Sequence, residues 1–110
     1  MESSQYDVVI IGGGILGLST AMQLLERAPR WRVAVVEKED GLANHQTGHN
    51  SGVMHSGIYY RPGSHKAQFC VAGLNNMVKF CEENEIEYQQ CGKVIVAFEE
   101  SELGRLQDLY

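Results

Sequence analysis

With 110 residues, 44% of them apolar and 21% charged, the chain has the composition of a soluble globular domain, neither disordered nor fibrous. Its formal net charge of −5 argues against a nucleic-acid groove, which gathers Lys and Arg on one face. Three cysteines without a CxxC pair fit a reducing compartment better than a disulfide framework, and each is expected to be a small core residue.

The lead from Met1 to Gln5 has neither a basic region nor an apolar core. The longest apolar runs, such as Val8 to Ile11, fall far short of the about 18 residues a membrane span needs. No signal peptide, transit peptide or transmembrane segment is therefore expected. The expected location is cytoplasmic, with peripheral contact at the inner membrane left open.

Tyr6 to Ile11 is uninterrupted and rich in β-branched residues, the pattern of a parallel strand buried on both faces. Gly12, Gly14 and Gly17 follow at GxGxxG spacing. Ile15, Leu18, Ala21, Met22 and Leu25 then recur near helical period as far as Arg27, and Pro29 stops the helix. Arg32 to Glu37 is a second buried strand, so the stretch reads as one right-handed βαβ unit.

A lone GxGxxG is weak evidence. Here it follows a strand, opens a helix and is answered by Glu37, 20 residues after Gly17, which together predict a dinucleotide site. Gly12 allows the tight turn, Gly14 lets the backbone approach a pyrophosphate, and Gly17 permits close helix-on-strand packing. The helix N-terminus attracts the phosphates. A carboxylate at Glu37 accepts ribose hydroxyls and disfavours a 2′-phosphate. The plainer alternative is a Rossmann-like unit without a dinucleotide.

Lys38 to Gly63 has no periodicity and is long for a mere connection, a length that suits a functional loop. Between Gly41 and Cys81 there is no Asp or Glu, while Arg61, Lys66, Lys79 and all four histidines fall there. Thr47, Asn50 and Ser51 are able to donate to phosphate oxygens, and Gly48, Gly52 and Gly57 let the chain lie close to a flat ligand. His55 has the chemistry to take a proton from a substrate hydroxyl, since an imidazole titrates near neutral pH. A structural histidine is an equal alternative there. Tyr59 and Tyr60 either line a pocket or pack as an ordinary pair. Arg61 and Lys66 either meet substrate carboxylates or face solvent. His45 and His49 have i,i+4 spacing, but without HExxH or a nearby carboxylate no metal site is expected.

From Ser64, a plausible cap, the residues Ala67, Cys70, Leu74, Met77, Val78 and Cys81 mark one face of an amphipathic helix, on which His65 is expected to be exposed. Lys93 to Phe98 (KVIVAF) reads as another strand. Glu99 to Tyr110 begins a further helix with Leu103, Leu106 and Tyr110 on one side. A doubly wound sheet needs about five or six strands, so the chain reads as the amino-terminal part of a longer enzyme.

Taken together, IIGGGILGLSTA, VVEKE and HQTGHNSGVMHSGIYYRPGS resemble the FAD-dependent L-2-hydroxyglutarate dehydrogenases, also called oxidases, of the D-amino-acid-oxidase-like flavoprotein superfamily. The glycine motif is shared very widely, and the block from His45 to Ser64 is what points to this family. The resemblance implies an α/β fold with a Rossmann-like FAD-binding βαβ unit, here incomplete. It implies noncovalent FAD, with Gly12, Gly14, Gly17 and Glu37 on the ADP half and Lys38 counted with them. Thr47, Asn50, Ser51 and Gly52 would lie near the pyrophosphate and flavin. It further implies oxidation of L-2-hydroxyglutarate, a small 2-hydroxy dicarboxylate, to 2-oxoglutarate, with electrons leaving to a quinone chain or to oxygen.

In that frame His55 is the candidate catalytic residue, and Tyr60 and Arg61 are the candidate substrate contacts. Residues 1–63 are expected to form the FAD-binding unit and flavin-contacting loop. Residues 64–85 form the amphipathic helix, and 86–110 the start of a substrate domain. Two alternatives stay open: a relative acting on an amino acid or glycerol 3-phosphate, and a non-catalytic dinucleotide-binding module.

Overall fold

The computed structural model describes residues 5–109, so the expectations for the Met1–Ser4 lead and for Tyr110 fall outside the described residues. The chain divides into two units, Met1–Gly52 and Val53–Tyr110.

In the first unit, strand β1 (Val8–Ile11), helix α1 (Ile15–Arg27) and strand β2 (Val33–Val36) form the βαβ crossover. The strands run parallel, with Val8 opposite Val33 and Ile11 opposite Val36. Pairing continues beyond both ends: Asp7 N–H donates to the Arg32 carbonyl at 2.9 Å, and Gly12 N–H to the Val36 carbonyl at 2.8 Å. The Asp7 carboxylate accepts the Arg32 N–H at 2.7 Å, which fixes the register from outside the ladder. Helix α1 ends where the sequence requires. Ala28, the residue before Pro29, leaves the helical region at φ −134°, ψ 68°, although its N–H still reaches the Leu24 carbonyl.

Both strands lie against α1, and Ala21 is the buried residue of that helix. The expectation of strands buried on both faces is not met. Burial alternates along β1, with Val9 54% and Ile11 89% exposed. Two-sided burial needs a helix on each face. Among the described residues only α1 packs on the sheet.

In the second unit, helix α2 (His65–Glu83) begins at Ser64, whose hydroxyl accepts the Ala67 N–H at 3.3 Å as an N-cap. The expected inner face is the observed one: Ala67, Cys70, Leu74, Met77 and Val78 are half-buried and Cys81 is buried. His65 is exposed, with its ring stacked on Phe69 at a centroid separation of 6.0 Å. Cys70 and Cys81 fit the expectation of core cysteines, but Cys91 is exposed. It lies in a stretch without regular secondary structure.

KVIVAF does not form a strand. The chain from Lys93 to Ala97 is irregular, and Val94 and Phe98 are 86% and 90% exposed. Its β-branched residues suit a pleated surface, but a strand exists only when a ladder partner satisfies its backbone, and the described residues offer none there. The terminal helix starts as a 3-10 turn (Glu100–Glu102) and continues as α3 (Leu103–Asp108), with reciprocal capping between Glu99 and Glu102. No helix among the described residues is long and apolar enough to cross a membrane.

Candidate dinucleotide site

The site grows from the turn between β1 and α1. Gly12 sits at φ +106°, a conformation that L side chains rarely adopt. At Gly17 a Cβ would run into the carbonyl oxygen of Gly12, so the first turn of α1 rests on the glycine loop only because no side chain is present. Gly13 is the buried glycine of the loop, and its N–H points across to the end of β2.

There it meets Glu37. The Glu37 carboxylate accepts the Gly13 N–H at 2.7 Å through one oxygen. Its other oxygen accepts the N–H groups of Lys38 at 2.8 Å and Glu39 at 3.1 Å. These hydrogen bonds, that of Gly13 foremost, hold the Glu37 carboxyl below the usual carboxylate range, so it is an ion and a pure acceptor at neutral pH. A carboxylate has about four acceptor positions, so three backbone donors leave capacity for a ligand hydroxyl.

The third wall is the turn from Leu42 to Gly48. Ala43 N–H donates to the Gly13 carbonyl at 3.1 Å, with Ala43 itself at φ 61°. The Thr47 hydroxyl oxygen accepts the Ile15 N–H at 2.9 Å, supplying α1 with the side-chain cap that Gly14 lacks. His45 Nε2 lies 2.9 Å from the Glu39 carboxylate, which also pairs with Lys38 at 3.4 Å. The stretch of sequence without acids is thus bordered in space by Glu37 and Glu39. The expectation of no carboxylate near His45 is not met, since Glu39 stands only six positions before it.

Together these parts enclose a cavity of about 370 Å³ lined by Ile11, Gly12 and Gly14, by Val36 to Lys38 and by Ala43 to Thr47. Its lining suits a dinucleotide: an ionised acceptor for a diol at Glu37, the Lys38 ammonium at the rim, and a helix N-terminus beside a backbone-only floor for phosphate. FAD fits this set, and of the residues expected to bind it Gly12, Gly14, Glu37, Lys38 and Thr47 line the cavity. Gly17 contributes from beneath, through packing. The sequence reading missed Gly13, Ala43 and His45. Gly13 stood next to the motif, and the only signal for it was the third glycine of an unbroken run.

The remaining candidates stand elsewhere. The Asn50 amide donates to the Gln46 and Thr47 carbonyls, both at 2.8 Å, and its oxygen accepts the Gly52 N–H at 2.7 Å. It closes the end of the turn. Ser51 is exposed, and Gly52 is at φ +64°. In the second unit His55, Tyr60 and Arg61 are all exposed. The His55 carbonyl accepts the Cys70 thiol at 3.1 Å, which attaches its backbone to α2. Lys66 lies 6.0 Å from the centre of the Tyr60 ring and Lys93 4.8 Å from that of Tyr59, cation–π distances. The described residues include no cluster suited to a metal ion.

Fold and cavity define the class as a dinucleotide-binding βαβ protein, and comparison with known proteins refines it. Residues 7–110 match the model of the FAD-dependent oxidoreductase family, and the chain belongs to that family. It is 58% identical over 105 residues to an L-2-hydroxyglutarate dehydrogenase of Escherichia coli, covering 96% of this chain and 25% of that protein. The human mitochondrial L-2-hydroxyglutarate dehydrogenase is 55% identical over 109 residues, 99% of this chain and 24% of its own. The mitochondrial enzyme of that name from Dictyostelium discoideum is 50% identical over 105 residues, 96% of this chain and 24% of its own. The chain thus spans about a quarter of the length of the curated relatives it matches.

Proposed function

We propose that the protein to which this chain belongs oxidises L-2-hydroxyglutarate to 2-oxoglutarate with FAD as its cofactor. The observation that carries the reading is the identity of 50 to 58% with proteins named L-2-hydroxyglutarate dehydrogenase across nearly all of these residues. The cavity beside Glu37 supports it independently, because its donor set suits the ADP half of that cofactor.

When bound, FAD supplies the acceptor for the electron pair that leaves the CH–OH carbon. The glycine loop and Glu37 hold and orient the nucleotide end, and Thr47, Asn50, Ser51 and Gly52 carry the chain onward from it. We assign His55 the removal of the hydroxyl proton, a task an imidazole suits near neutral pH, and Tyr60 and Arg61 the contacts to substrate. Arg61 has the geometry to hold a carboxylate through two parallel hydrogen bonds. The electron outlet is a quinone chain or oxygen, the former bringing the protein to a membrane surface.

Anaerobic mixing of the flavin-loaded whole protein with L-2-hydroxyglutarate is expected to bleach its yellow absorbance. The D-isomer, lactate and glycerol 3-phosphate leave it unchanged. His55→Ala slows bleaching while the protein keeps its flavin. Bleaching by lactate but not by L-2-hydroxyglutarate would refute the substrate, and an unchanged rate in His55→Ala would remove that residue from the chemistry. Reoxidation by a soluble quinone analogue against dissolved oxygen then distinguishes the two acceptors.

A further inference from the structure

Helix α1 begins at the nucleotide cavity with a glycine in the capping position, and Gly14 has no side chain to take up the first free N–H groups. One of them, that of Ile15, is satisfied from far along the chain by the Thr47 hydroxyl at 2.9 Å, 32 positions away. We infer that Thr47 is a positioning residue for the cofactor pocket, the clasp that pins the wall from Leu42 to Gly48 onto the start of α1 before any ligand arrives. The inference rests on the FAD-binding reading of this cavity.

Three observations meet at this point. Among the described residues, the wall reaches the glycine loop through two hydrogen bonds, Ala43 N–H to the Gly13 carbonyl at 3.1 Å and Ile15 N–H to Thr47. The wall contains a non-glycine residue at positive φ, Ala43 at 61°, so its shape is maintained against a local conformational preference. The fit at the clasp is also close, since a Cβ on Gly14 would lie 3.1 Å from Thr47 Oγ1. The hydroxyl accepts in this bond and therefore keeps its own hydrogen to donate. Thr47 both closes the wall and presents a donor whose direction the Ile15 bond sets. A preformed wall reduces the ordering cost of binding, which is how a residue raises affinity without adding a contact.

The test compares Thr47→Val, which preserves shape and removes the hydroxyl, with Thr47→Ser, which restores it, in the full-length protein. Two quantities are read. The first is amide hydrogen exchange of peptides covering residues 12–18 and 42–48 after the flavin is stripped. The second is FAD affinity by fluorescence titration. Thr47→Val is expected to speed exchange in both peptides and weaken FAD about tenfold, as loss of one hydrogen bond of about 1.4 kcal/mol would. Thr47→Ser stays near the parent in both. Unchanged exchange in the valine variant overturns the clasp even if affinity falls, because Thr47 would then act only as a ligand contact. Faster exchange with unchanged affinity overturns the link to the pocket. Thr47→Ala gives the same two readings if the valine variant does not fold. Should the parent bind no FAD, the cofactor reading itself fails, while the exchange data still report on the clasp.

Discussion

Each of the two units is ordered internally by its own kind of bond. In residues 5–52 the decisive hydrogen bonds join groups far apart in sequence: Asp7 with Arg32, Gly13 with Glu37, and Ile15 with Thr47, separations of 25, 24 and 32 positions. In residues 53–109 order is mostly local. A capped helix carries the unit, and among the described residues its longest-range side-chain bond joins Cys70 to the His55 carbonyl, 15 positions apart. The first unit is therefore cross-braced, with the Gly13 and Ile15 bonds around one cavity, and a change at either of those two is felt at the other. The second tolerates single changes, because each touches a bond that organises only its own neighbourhood.

Gly17→Ala is the strongest way to break that contrast. The added methyl meets the Gly12 carbonyl oxygen, a backbone atom that cannot swing aside, so α1 must lift from the glycine loop. Clashes of this sort cost about 3 kcal/mol or more. The expected result is a large fall in melting temperature together with loss of bound flavin. A melting curve superimposed on that of the parent would show that the helix does not rest on the loop as described.

Glu37→Gln comes next and acts on the ligand more than on the fold. Gln offers one acceptor oxygen where three backbone N–H groups converge on two, so at least one donor is left facing an NH₂ group. FAD retention is expected to drop about 10- to 100-fold, in the range for losing charge-assisted hydrogen bonds. The pH dependence sharpens the assignment. Because backbone N–H donors, Gly13 first, depress the folded-state pKa of Glu37, its contribution is present at and above the ordinary carboxylate range. It disappears only as pH falls through the depressed value. Flavin retention in the parent thus stays level into mild acid and declines below the ordinary carboxylate range, while the Gln variant lacks that step. Identical acid profiles would detach Glu37 from cofactor binding.

The same contrast governs how much could be read from the sequence alone. The βαβ order, the stop before Pro29, the Ser64 cap and the inner face of α2 were all legible, since each depends on residues within a turn or two of one another. So was Glu37, whose spacing from the glycines is a fixed consequence of one crossover. Gly13, Ala43 and the Ile15 bond of Thr47 were not, because they arise where the chain returns on itself. KVIVAF failed for a related reason. Its composition suits a strand, but composition does not say whether a ladder partner is there, and among the described residues none is.

The smallest effect is expected at Cys70. Its thiol donates to the His55 carbonyl at 3.1 Å and packs on Gly57, where a Cβ would come within 2.9 Å of Cys70 Cβ. Cys70→Ala removes a weak sulfur donor and a little packing, and leaves a carbonyl on an exposed residue that water can satisfy. The loss in stability should therefore be about 1 kcal/mol or less. Flavin content should not change, because the hydrogen bonds described at the nucleotide cavity, Gly13 with Glu37 and Ile15 with Thr47, join residues of the first unit. A denaturant titration paired with the flavin absorbance ratio measures both. If Cys70→Ala instead released flavin as Glu37→Gln does, the division of labour between a braced cofactor unit and a locally ordered helical unit would be wrong.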